Sequence, residues 1–168
     1  MKTFEFTIIA SGLDHEADDF EDRFFEAGCD DATIAFARGA ILLHFAREAE
    51  SIEHAIESAI SDVRSAGAQV DRVEPDNLVS LSEIATRANM TKGAISHYSK
   101  GARGRGFPHP VARVTTDSPL WDWDQVSKWL ADRGKIDAIL VAEASAVRKF
   151  NTRLEIEQSE CAVYAAVH

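Results

Sequence analysis

Cysteine is nearly absent from this chain. There are two in 168 residues, Cys29 and Cys161, far apart in sequence. That spacing excludes a disulfide framework and the paired thiolates of a zinc ribbon or finger. Long apolar runs are missing as well: nothing approaches the ~18–20 consecutive apolar residues that cross a bilayer. The opening MKTFEFTIIASG is interrupted by Glu5 and alternates like a strand, which argues against a signal peptide. No phosphate-binding glycine loop, nucleophile elbow or pair of catalytic carboxylates is present. The six histidines (15, 44, 54, 97, 109, 168) are scattered, without metal-ligand spacing. No catalytic residue, metal or cofactor is therefore expected, and the chain reads as a non-enzyme of the cytoplasm. What is present, 45% apolar and 27% charged residues, suffices for one or two small globular domains.

Basic residues are the scarcer charge, 18 Lys and Arg against 28 Asp and Glu. They are unevenly placed. Residues 1–79 carry a net −12 and residues 115–168 a net −3, but residues 80–114 carry +5. That segment holds Arg87, Lys92, Lys100, Arg103, Arg105 and Arg113 against Glu83 alone. A basic island in an acidic chain is the electrostatic footprint of a nucleic-acid surface.

Periodicity divides the chain. Residues 1–74 read β-α-β-β-α-β. Phe4, Phe6 and Ile8 alternate with Thr3, Glu5 and Thr7 in a first strand. Asp14 is the expected cap of a helix with Ala17, Phe20, Phe24 and Ala27 on one face, stopped by Gly28. Two strands, Ile34–Phe36 and Ile41–Phe45, flank an Arg38-Gly39 turn. Ser51 opens a second helix with a stripe from Ile52 to Val63, ended by Gly67, and Val70–Val73 is a last strand. This order fits a ferredoxin-like sandwich. Its helix rich in carboxylates (Asp14, Glu16, Asp18, Asp19, Glu21, Asp22) suits docking to a basic partner as well as plain solvation. Residues 75–79 form a linker.

Leu81–Lys100 reads as a helix-turn-helix. Ile84, Ala88, Met90, Ile95 and Tyr98 are its inward positions, and Ala85 supplies the small residue needed where the helices cross. Asn89 occupies the turn, where positive φ is required. Thr91 has the chemistry of an N-cap for the second helix. Thr91, Lys92, Gly93, Ser96, His97 and Lys100 are left to face outward, small, polar or basic groups suited to a major groove. The Gly-rich loop with Arg103 and Arg105, and Arg113 beyond it, suit phosphates or a neighbouring minor groove. Residues 111–114 and 120–123 are β-prone runs around a turn at 115–119, which makes a wing. Asp124 is the expected cap of a following helix, and Trp121, Trp123 and Trp129 are expected to pack the wing onto it.

The LSEIA helix, the Phe-Pro-His-Pro-Val lead into a hairpin and the LWDWDQVSKWL strand and helix together resemble the winged helix-turn-helix regulators of the MerR superfamily, most of all the phage-type AlpA and excisionase regulators. The resemblance covers Leu81–Leu130. It implies DNA binding by the second helix and the wing, usually as a dimer, in activation, repression or recombination. Two departures stand out: Asn89 replaces the commoner Gly, and a separate domain precedes the DNA-binding part.

Residues 131–158 read as a long helix whose apolar stripe, Ile136, Leu140, Val147, Phe150 and Leu154, is the expected dimerisation seam, the alternative being that the helix folds back on its own domain. The apolar end, Cys161–Val167, with its small residues, suits a strand or an edge that pairs with another segment. The whole is expected to be α+β: a ferredoxin-like acidic domain (1–74), a linker (75–79), a winged helix-turn-helix (80–131) and a C-terminal helix and tail (132–168). The expected function is a dimeric, sequence-specific regulator of double-stranded DNA, a repressor or autoregulator, on the bacterial nucleoid when bound and with no membrane partner. The alternatives are an antitoxin or adaptor whose acidic domain binds a basic protein such as a toxin, and an excisionase-like recombination accessory.

Overall fold

Alternating burial builds the first part of the molecule in the computed structural model, which describes residues 1–101 and 105–168. The chain divides into two units, residues 1–75 with 149–168, and residues 76–148. The division at Pro75 falls where composition and charge change. The last residues, 149–168, join the first unit instead of standing apart as a tail.

The first unit contains β1 (Lys2–Ser11), α1 (Phe20–Glu26), β2 (Ala32–Ala37), β3 (Ala40–Ala49), α2 (Ile52–Ser65) and β4 (Gln69–Glu74). The strands form an antiparallel sheet in the order β2-β3-β1-β4. Phe4, Phe6, Ile8 and Ala10 of β1 are buried, as are Ile41, Leu43 and Phe45 of β3, and Phe6 stacks on its cross-strand partner Phe45 at 5.4 Å. Onto this layer fall Phe20 and Phe24 of α1 and the buried stripe Ile52, Ala55, Ile56, Ala59, Ile60 and Val63 of α2. Ser51 caps α2 through the His54 N–H, and Gly67 follows its end at φ +96°. Arg38 and Gly39, both at positive φ, make the turn between β2 and β3. Asp14 does not cap α1, which begins at Phe20; its carboxylate accepts from the Glu16 N–H within an earlier turn.

A charged group lies inside this core. Arg47 of β3 is 7% exposed. It forks onto Asp31 at 2.8 and 2.9 Å, reaches Asp62 at 2.8 Å, and donates to the Ser58 hydroxyl and the Gly28 carbonyl. A buried cation is tolerated when every donor is matched in this way. The Asp31 hydrogen bond pushes the guanidinium pKa up, against the opposing effect of burial.

The second unit contains β5 (Leu78–Val79), α3 (Leu81–Ala88), α4 (Lys92–Ser99), β6 (Trp121–Asp122), α5 (Trp123–Asp132) and the start of α6 (Ala138–Val167). Its core gathers Val79, Ile84, Ala85, Ala88, Ile95, Phe107, Trp121, Trp123, Val126 and Leu130. Leu78–Val79, expected in the linker, pairs with Trp121–Asp122. The expected wing strands are shorter than their sequence suggests: a single bridge, Ala112 to Leu120, closes the hairpin. α5 is capped by Asp122, whose carboxylate accepts from the Asp124 N–H, and Asp124 is itself buried in the first turn.

The helix expected over 131–158 is interrupted. Gly134 at φ +69° closes α5, with Gly134 N–H donating to Ala131 and Lys135 N–H to Leu130. α6 then runs on through Val167, so the expected C-terminal strand is helical. The physical reason is composition: Ala162, Ala165 and Ala166 extend a helix already nucleated by packed residues. Three residues of the expected dimer seam, Val147, Phe150 and Leu154, are buried within the chain itself, and Ile136 and Leu140 are half-buried. Among the described residues, no helix is long and apolar enough to cross a membrane.

Candidate nucleic-acid interface

Capping defines the two helices that would present the site. Ser80 and Glu83 form a capping box, the Glu83 N–H donating to the Ser80 hydroxyl and the Ser80 N–H to the Glu83 carboxylate, both at 3.2 Å. Glu83, the one acid of the basic island, is thus engaged at a helix start. Asn89 adopts φ 52°, ψ 46°, and the Met90 N–H returns to the Ala85 carbonyl at 2.9 Å. Thr91 then caps α4, accepting from the Ala94 N–H at 3.1 Å. Both local expectations for the turn are met.

α4 buries Ile95 and sets Tyr98 partly inward. Thr91, Lys92, Gly93, His97 and Lys100 are exposed, and Ser96 is half-buried. Lys92, Ser96 and Lys100 recur every four residues and therefore line one stripe, with Gly93 and His97 beside it. A Cβ at Gly93 would meet nothing within 4 Å, so internal packing does not require glycine there.

Aromatic side chains hold the following loop. Trp129 Nε1–H donates to the Arg105 carbonyl at 3.2 Å, and Trp121 Nε1–H donates to the Pro108 carbonyl at 3.1 Å. Arg133 lies 4.1 Å over the Trp129 ring and also donates to the Arg105 carbonyl. Phe107 and Tyr98 each meet Trp129 edge-on at 5.1 Å. The tryptophans thus pack and pin, as expected. The Arg133 contact spans 28 residues and has no periodic signal. Arg105 keeps its side chain exposed while its carbonyl is fixed. Arg103 lies outside the described residues. Arg113 sits at φ 54° in the hairpin turn, exposed, with its carbonyl accepting from Thr116. Val114, 61% exposed, is beside it.

Charge in this unit is sorted. Arg87 belongs to the fold: it donates to the Asp76 carbonyl at 2.7 Å and lies over the Trp123 ring. Asp122 and Asp124 are buried and bound to Arg148 at 3.0 and 3.1 Å, and Asp124 also takes Lys128 and the Ser145 hydroxyl. Burial pushes the Asp122 carboxyl up. Burial acts on Asp124 in the same direction, but bonds from Ser145, Lys128 and Arg148 outweigh it and hold that carboxyl low. By contrast, among the described residues Lys92, Lys100, Arg105 and Arg113 have no carboxylate partner. Lys128, Arg133, Lys135 and Arg148 of this unit are exposed as well, but Lys128 and Arg148 are tied to Asp122 and Asp124, and Arg133 to the Arg105 carbonyl.

No family model, no curated protein and no solved structure matches this chain.

Proposed function

We propose that this chain is a sequence-specific double-stranded DNA-binding regulator. α4 enters the major groove, and Arg105 and Arg113 lie on phosphates. One observation carries the reading: α4 turns Ile95 into the core and presents Lys92, Gly93, Ser96, His97 and Lys100 outward, while every buried carboxylate of the unit is already matched to another cation. The succession α3, turn, α4, hairpin, α5 supports a winged helix-turn-helix of the MerR and AlpA-excisionase kind. The strand order β2-β3-β1-β4, with helices after β1 and β3, supports a ferredoxin-like reading of the first unit.

A dimer on a near-palindromic site fits the few base pairs one such helix can read. With Val147, Phe150 and Leu154 buried at home, its contact falls to the exposed apolar groups at the end of α6, Ile156, Val163 and Val167. Repression or autoregulation in the bacterial cytoplasm is the first role; excisionase-like recombination uses the same surface.

The test is selection of bound duplex from a random pool at ~150 mM salt, followed by anisotropy with the selected site. An enriched motif, bound less tightly by Lys92→Ala, is expected. Absence of duplex binding by the wild type even at ~50 mM salt would sink the reading.

A second reading, an adaptor or antitoxin that binds a basic protein, is favoured by the charge of the first unit. Its residues sum to −12, against +2 for the second.

A further inference from the structure

The two edges of the four-stranded sheet are treated differently. The β4 edge is closed: Asn151 exchanges two hydrogen bonds with the main chain of Val73, and Gln158 donates to the Asp71 carbonyl. The β2 edge pairs only with β3 on one side. β2 reads ATIAFA, without the proline, lysine or other charge that commonly protects an open edge. Its ladder fixes which groups are free. The Ala46 N–H donates to the Asp31 carbonyl, and Ala37 pairs with Ala40 across the two-residue turn. Antiparallel alternation then turns the main-chain groups of Ile34 and Phe36 away from β3.

Beside this edge lies a groove of about 440 Å³ between α1 and β2. Phe25 and Ile34 line it, and Glu21, Asp22 and Asp30 edge it. Phe25 is 65% exposed and Phe36 at the strand's end 42% exposed, both unusual for large apolar groups. Among the described residues, none of the three carboxylates has an ion-pair partner.

We propose that the β2 edge is a docking strand for an extended segment of a partner protein that alternates basic and apolar residues. The segment adds a strand beside β2. Its main chain bonds Ile34 and Phe36, its apolar side chains reach Phe25 and Ile34, and its cations meet Glu21, Asp22 and Asp30. Charge selects this occupant. A second copy brings a unit of net −12 against its equal, whereas a cationic strand is steered in. The proposal deepens the adaptor reading and is independent of DNA binding.

The probe is a blocked Lys-Val alternating octapeptide, titrated into the 168-residue protein at several salt concentrations. A peptide of equal charge with every second valine replaced by proline is the control. Saturable binding is expected, with amide exchange slowed at Ile34 and Phe36, and affinity at least tenfold lower for the proline control. The Glu21→Gln/Asp22→Asn/Asp30→Asn variant, which alters only surface groups, should lose affinity by a similar factor. Equal binding of the two peptides, or no slowing at Ile34 and Phe36, would overturn the proposal. So would a wild-type dimer in which those amides are already protected, because the occupant would then be a second copy. Duplex binding by the same preparation is unaffected in any of these outcomes.

Discussion

The side-chain amide of Asn151 bonds both main-chain groups of Val73, accepting from its N–H at 2.8 Å and donating to its carbonyl at 3.0 Å. A helix residue thereby takes the place of the strand that would otherwise lie beside β4. Asn151 is 2% exposed, so neither bond is replaced by water if it is lost. Asn151→Ala should destabilise the protein by about 2–4 kcal/mol, the cost of stranding two buried polar groups. Urea unfolding followed by circular dichroism measures it. An unchanged midpoint would mean that the edge is closed by other contacts.

Arg47 holds β3, the segment after α1 and α2 together through Asp31, Gly28 and Asp62. Arg47→Ala leaves two carboxylates facing each other and should cost about 3–5 kcal/mol. Arg47→Lys should still lose about 1.5–3 kcal/mol, because an ammonium cannot reproduce the fork. If the lysine variant matches the wild type in thermal melts, charge alone is sufficient and the geometry is not.

The basic residues of 80–114 should separate into two kinds. Lys92→Ala, Lys100→Ala and Arg105→Ala should leave the melting temperature within about a degree, since exposed substitutions cost little. Each that meets a phosphate should reduce the slope of log K against log salt by about 0.9 per protomer, about 1.8 for the bound dimer. Arg87→Ala should do the reverse, lowering stability while leaving that slope alone, because its guanidinium is engaged with Asp76 and Trp123. Melting curves and anisotropy on the same four proteins decide this.

Val147 is 4% exposed within the chain. Val147→Glu buries an unmatched carboxylate and should destabilise the fold by about 3 kcal/mol or more, with no need of a second subunit. A folded, equally stable variant whose only change is a lower sedimentation coefficient would restore the expected dimer seam.

The two cysteines should differ in reactivity. Cys161 is exposed; Cys29 is buried, and burial together with Asp62 pushes its thiol up to about 12. One equivalent of an aromatic disulfide reagent should react with the native protein at neutral pH, and two in denaturant. The sign of the pH effect follows: below about pH 9 both states hold the proton, and above it the unfolded thiol ionises first. The stability from this group is thus complete below pH 9 and is lost as pH rises toward 12. Titration of Cys29 in the native protein near pH 9 would contradict its burial.

The residues that worked as sequence signals are those whose partners lie within a turn. Asn89 at positive φ, Thr91 and Ser51 as caps, Arg38-Gly39 as a hairpin turn, and the stripe of α2 are local events, set by sterics and by hydrogen bonds a few residues long. The Ser80–Glu83 capping box is equally local, but its S-x-x-E spacing was not singled out in the sequence. The outward face of α4 followed from them, because a helix with Ile95 inside has little choice about Lys92 and Lys100. Only tertiary structure decided the rest. Arg47 could not be distinguished from a surface arginine until Asp31 and Asp62 closed around it. Arg87 lay in a basic run yet serves Asp76 and Trp123. Val147, Phe150 and Leu154 had the spacing of an interface, but the same stripe packs equally well against the chain's own core, because apolar spacing records that a face is buried and not what buries it.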